Sequence, residues 1–378
     1  MTGTQRSRVA EWLPWVVAAL ILAGLVVAVV RFLSGGGSGG MDMAAAMSRG
    51  SAPTDGLAPL LGSALITAWQ LNAAALAVLA LLAAWYLGAV ARARRQSQAW
   101  PIARTAAFVA GLAVCAFATN GSIAVYDMVL FSAHMIGHLL LVMVGPALLV
   151  AGRPLELAVV ASEEPAKVRR AMKNPVLTAF FAPPVALACY IVVIVGSHLT
   201  GAMNYIMVHT WAGQIEHVVY LVIGFQFFTL VIGAAPIRWR LASPARWLLL
   251  AIAMAVDTFT GIVLMQGTTV IQMTPDPRLH VNALSDTHTG GAIMWLGGDA
   301  IMAAVMIVLV LAWLRDPARE SADRTGWLEQ TRRAHFAERT QLAGEPAADL
   351  ADNADFDESD AKLAAYNRWL ASINRHGG

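Results

Sequence analysis

The chain has 378 residues, of which 58% are hydrophobic and only 13% charged, with a formal net charge of +2. Those proportions exclude an ordinary soluble domain, and the near balance of charge excludes the strongly basic surface expected of a nucleic-acid-binding protein. Two cysteines, Cys115 and Cys189, lie far apart in apolar segments. Neither a CxxC thiolate site nor a CxxCH haem attachment is present, so a metal would have to be held by imidazole, carboxylate or thioether.

Apolar runs long enough to cross a hydrocarbon core of about 30 Å recur along the sequence. They predict an all-α, polytopic bundle of about eight transmembrane helices over 12–33, 60–90, 102–120, 130–150, 176–198, 206–235, 246–272 and 289–314. The first run follows Arg6 and Arg8. Its length and the lack of an A-x-A site after it favour a retained helix over a removed signal. Residues 1–33 therefore comprise a cytoplasmic N-terminus and first helix, and 34–59 a Gly/Ser-rich extracytoplasmic linker with Met41, Met43 and Met47. A seven-helix core occupies 60–314, in which Trp85 and Tyr86 look like interfacial anchors ahead of Arg92, Arg94 and Arg95.

Positive residues alternate between connections: Arg92 to Arg104, Arg153 to Lys173 and Arg238 to Arg246 mark cytoplasmic loops, whereas Asp127, Asp276 and Asp286 mark outer ones. Both termini are then inside. The tail, 315–378, is charged and is expected to be cytoplasmic and partly disordered, interrupted by two short amphipathic helices.

In the fourth span His134 and His138 stand four residues apart, which stacks them about 6 Å apart on one helix face. That spacing can grip one metal ion or serve two interfacial histidines. In the sixth span the seven-residue step puts His209 and Glu216 on one face and turns His217 aside, at a depth near that of His138. Glu216 is then either a ligand or the group that fixes a histidine tautomer. His198, His280, Asp286 and His288 lie on the same side. His198 and His280 read as ordinary interfacial histidines.

Asp257 and Asp299 fall near the midplane, where an ionised carboxylate costs several kcal/mol unless paired. They could share a proton, line an ion pathway or hydrogen-bond within the bundle. Thioethers in the linker and at Met135, Met203, Met207, Met265 and Met273 suit Cu(I), although methionines in apolar helices usually serve packing. No Ser-His-Asp, Walker or dinucleotide motif is present, and the chain is not expected to be an enzyme.

The segment FSAHMIGHLLLVMVGPALLVAGRP, Phe131 to Pro154, together with HTWAGQIEHVVYLVIGFQFF and DTHTGGAIMW, resembles the CtaG-type cytochrome c oxidase assembly factors over about residues 60–314. The resemblance implies a bacterial plasma membrane, about seven core helices and a role in supplying copper to the oxidase. It places the family's histidine pair on His134 and His138, its later His and Glu-His on His209, Glu216 and His217, and its acidic, glycine-ended segment on Asp286 to Gly291. Here His288 stands where the family carries a glutamine, so this member either gains a ligand or has none at that position.

The expectation is a copper chaperone, handling Cu(I) at an extracytoplasmic site of His134, His138, His209, Glu216, His217 and His288, with Asp257, Asp286 and Asp299 in support and Met41, Met43 and Met47 for capture. Its expected partners are cytochrome c oxidase subunits or other assembly factors of the respiratory chain, within the lipid bilayer. Two further readings stand beside it: a haem-binding electron-transfer protein, since histidines on facing helices can hold b-type haem, and a general copper or proton-coupled transporter using Asp257 and Asp299.

Overall fold

The computed structural model describes residues 68–233, 235–271 and 281–315. The first expected span, the methionine linker, Met273, Asp276, His280 and the charged tail lie outside the described residues. Met1–Leu311 form one compact unit and Ala312–Gly378 a second, of which residues 312–315 are described.

Every regular element among the described residues is helical. In chain order these are α1 (Ala73–Arg95), α2 (Ile102–Asn120), α3 (Ser122–Tyr126), α4 (Phe131–Leu139), α5 (Gly145–Ala151), α6 (Pro154–Val160), α7 (Pro165–Met172), α8 (Pro175–Phe180), α9 (Pro183–His198), α10 (Ala202–Val208), α11 (Thr210–Ile232), α12 (Ser243–Gln266), α13 (Ala283–Ala292) and α14 (Gly298–Leu314). Among the described residues, six continuous stretches are long and apolar enough to cross a membrane, and α9 is a shorter apolar helix. Leu81, Val218, Leu248, Phe259 and Val308 are exposed on the described surface, as lipid-facing side chains are in a membrane protein.

Two of the expected spans are broken by local backbone events. Pro183 and Pro184 can start a helix but not continue one, so the segment expected over 176–198 splits into α8 and α9. The sixth span breaks at His209, whose backbone is extended, between α10 and α11. The last span begins earlier than expected: Asn282 caps α13 by accepting from Leu284 and Ser285, which draws Asp286 and His288 out of a loop and into a helix.

Two π-helical turns, Leu140–Val144 and Ile293–Gly297, join α4 to α5 and α13 to α14. The first has a visible cause. Pro146 lacks the N–H that would bond to the carbonyl of Val142, and Gly145 bonds instead to Leu140, five residues back. α11 approaches closely at that point because it carries Gly224 there; a Cβ on Gly224 would stand 2.1 Å from the Val142 oxygen.

α12 and α13 meet in the same manner through Gly261 and Gly291, where a Cβ on either would stand 2.8 Å from the other's carbonyl oxygen. Tyr86 is not the interfacial anchor expected of it. It is fully buried, stacks on Phe108 at 3.9 Å, and donates to the Gly152 carbonyl at 2.7 Å, where the chain turns through a left-handed Arg153 into α6.

Candidate metal centre

Four segments converge at one end of the bundle: the loop holding Asp127, the first two turns of α4, the last turn of α9 and the early turns of α11. Their polar side chains are buried. His134, His138 and His198 are each 2% exposed and Glu216 is 6% exposed.

The local hydrogen bonds decide which imidazole nitrogens are free. His134 Nδ1 lies 2.7 Å from Asp127 Oδ1. With that carboxylate accepting, Nδ1 carries a proton, and Nε2 stands 3.8 Å from Glu216 Oε2. His198 follows the same rule through another acceptor. Its Nδ1 sits 2.8 Å from the Ile194 carbonyl, which can only accept, so Nδ1 carries a proton and the Nε2 of the neutral ring presents a lone pair. His138 lies between them, with its ring 4.9 Å from that of His198 and 4.1 Å from that of Tyr220.

Neither nitrogen of His138, nor Nε2 of His134 or His198, nor Oε2 of Glu216 has a hydrogen-bond partner. Buried polar atoms are seldom left so, and here five of them gather at one place. Tyr220 donates to the other Glu216 oxygen and thereby fixes that carboxylate. His217 stands to one side, its Nε2 3.6 Å from Asp127 Oδ2. Among the described residues, no three His, Cys, Asp or Glu side chains already stand as a metal-coordinating group. The separations given by the structure are 3.8 Å between His134 Nε2 and Glu216 Oε2 and 4.9 Å between the His138 and His198 rings.

Asp127 lies outside the spanning helices. Burial pushes its carboxyl up, but the imidazoles of His134 and His217 outweigh burial and hold it well below the ordinary carboxylate range. A carboxyl depressed in the folded state stabilises the protein above its unfolded pKa of about 4, and that contribution disappears as pH falls through the folded value. Thermal melts across the acid range should therefore show the parent losing stability more steeply below about pH 4 than Asp127→Asn. Parallel curves would mean that Asp127 does not hold His134.

The sequence-derived candidates do not all meet here. His209 is not on the face of Glu216, because the helix break at His209 ends the register assumed for that step. It caps α11, lies 2.9 Å from the Tyr205 carbonyl through Nδ1 and stacks on the Tyr205 ring.

His288 engages the Gly267 carbonyl at 2.9 Å through Nε2, at the end of α12. Asp286 caps a helix: it accepts from the Phe131 N–H at 2.6 Å and from the Ser132 hydroxyl at 2.5 Å, and so closes the N-terminus of α4. Gly290 lets α13 lie against Phe131 and Met135 of that helix. Asp257 and Asp299 belong to a separate cluster deeper in the bundle. His198, Asp127 and Tyr220 were absent from the sequence-derived set; the signal for Tyr220 was its position four residues after Glu216, one turn along the same face.

A family model described as "Cytochrome c oxidase caa3 assembly factor" matches residues 84–316, well over half the chain. Uncharacterized proteins of Mycobacterium bovis and Mycobacterium tuberculosis are each 27% identical over 329 residues, covering 82% of this chain and 45% of theirs. One of Mycobacterium leprae is 28% identical over 269 residues, covering 67% of this chain and 40% of its own length. The chain thus spans less than half the length of these curated relatives. No solved structure matches it.

Proposed function

Since the chain belongs to the cytochrome c oxidase caa3 assembly factor family, we propose that it binds copper as Cu(I) at the cluster of His134, His138, His198 and Glu216 and passes the ion to the oxidase during assembly. The observation that carries this reading is the set of buried, partnerless donor atoms on three helices, His134 Nε2, both nitrogens of His138, His198 Nε2 and Glu216 Oε2. Imidazole nitrogen suits copper, and a buried carboxylate beside it offsets the cation's charge. Asp127 and the Ile194 carbonyl set the two tautomers, as outer partners of metal-bound histidines do.

Copper is cargo here, and no bond of a substrate is made or broken. Donors that are close but not yet turned to one point suit an ion that must be released as well as bound. The separation of 4.9 Å between the His138 and His198 rings accommodates one ion with nitrogens about 2 Å away more readily than a macrocycle. This favours copper over haem.

In this reading the site faces the extracytoplasmic side, where the loops poor in basic residues lie. The Asp286 cap and the π turn after His138 hold α4 in position, while Met41, Met43 and Met47 offer thioethers for capture ahead of the site. Purified protein titrated with Cu(I) against a competing chelator should retain about one ion per chain. A preparation that binds no copper, or that carries a Soret band, would overturn the proposal.

A further inference from the structure

Deeper in the bundle two carboxyls stand on neighbouring helices, α12 and α14. Asp257, near the middle of α12, is fully buried, and its Oδ2 accepts from the Tyr190 hydroxyl of α9 at 2.9 Å. Asp299, at the start of α14 and near the middle of the Ala283–Leu314 stretch, accepts through Oδ2 from the Thr258 hydroxyl at 2.8 Å. Gly298 brings the two together: a Cβ there would stand 3.7 Å from Asp257 Oδ2. The second oxygen of each carboxyl, Oδ1, has no partner.

Among the described residues no basic side chain pairs with either carboxyl. The groups acting on Asp257 are Tyr190 from α9 and Asp299 from α14, and no ion pair among the described residues includes either carboxyl. Thr260, the other nearby hydroxyl on α12, donates to its own helix at the Val256 carbonyl. Each carboxylate charge is costly in the membrane interior, and a second is repelled by the first. A metal ion with a six-oxygen shell would find only two free oxygens here. A proton needs no more than that.

We propose that Asp257 and Asp299 form a membrane-embedded proton site, distinct from the imidazole cluster, which holds one proton between the two carboxyls at neutral pH. The Tyr190 and Thr258 hydroxyls support the single remaining negative charge. α9 reaches both clusters, with Tyr190 and His198 about 12 Å apart along its axis. The site does not depend on the identity of the cargo above it.

Infrared spectroscopy of the full chain in lipid nanodiscs tests this directly. The spectrum of the parent minus that of the double variant Asp257→Asn, Asp299→Asn should contain the carbonyl stretch of one protonated carboxyl per chain at neutral pH, moving to lower frequency in heavy water. Carboxylate bands alone would mean that both groups are ionised and overturn the proposal, as would a band of two carboxyls. Dicyclohexylcarbodiimide supplies a second measurement needing no variant, since it modifies protonated carboxyls in apolar surroundings. Mass spectrometry should place one adduct per chain on Asp257 or Asp299; an unmodified pair would overturn the proposal.

Discussion

His138→Ala is expected to weaken Cu(I) binding by at least about 100-fold while leaving the amount of protein in the membrane near that of the parent. Loss of an outer partner of a metal-bound histidine typically costs 10–100-fold, and loss of a central ligand should cost no less. His138 is the most exposed to this test because it makes no hydrogen bond: neither ring nitrogen has a partner, so truncation breaks no polar network. What it does remove is packing against His198 and Tyr220. His138→Leu separates the two effects, since it restores apolar volume without restoring a nitrogen. Both variants should lose copper, and His209→Ala and His288→Ala should keep it, because those imidazoles are engaged at the Tyr205 and Gly267 carbonyls away from the cluster. Parental affinity in His138→Leu would remove this imidazole from the site.

The six apolar stretches among the described residues were legible in the sequence because lipid imposes a composition that soluble cores do not. Their interruptions were harder to read, because each depends on a local event inside an apolar run. At Pro183 and Pro184 the cause is written in the residues. At His209 no breaker stands, and the run of apolar residues from Ile206 onward gives no warning of an extended backbone. A seven-residue step drawn across that break joined His209 to Glu216 on paper although the chain does not.

The site itself divided in the same way. His134, His138, Glu216 and His217 could be singled out because polar residues in apolar helices require a reason. His198 could not be distinguished from any histidine at a helix end, and only the approach of α9 to α4 gives it His138 as a neighbour. Asp127 looked like a loop acid until the loop folded back over the first turn of α4. Pairings between elements far apart in sequence have no local signature, and the tautomer of each histidine depends on them.

Asp286 illustrates this most sharply, and its replacement should produce the largest loss of stability. The first turn of α4 has no cap of its own, since Leu130 at that position offers no side-chain acceptor. The carboxylate that serves instead comes from 155 residues away and takes the Phe131 N–H and the Ser132 hydroxyl. A hydrogen bond to a charged group contributes about 1.5–3 kcal/mol, and its loss in a buried place leaves the donor unpaired. Asp286→Ala should therefore cost about 3 kcal/mol or more, read as a lower thermal midpoint in detergent or nanodiscs. Asp286→Asn keeps an acceptor oxygen without the charge and should fall between parent and Ala. Because His134 lies within the first turn of the helix that Asp286 caps, copper affinity should decline in the same order as stability, although Asp286 donates nothing to the ion. A variant that melts like the parent would show that α4 holds its position without this cap; one that melts lower yet binds copper as the parent does would show that the cap serves stability alone.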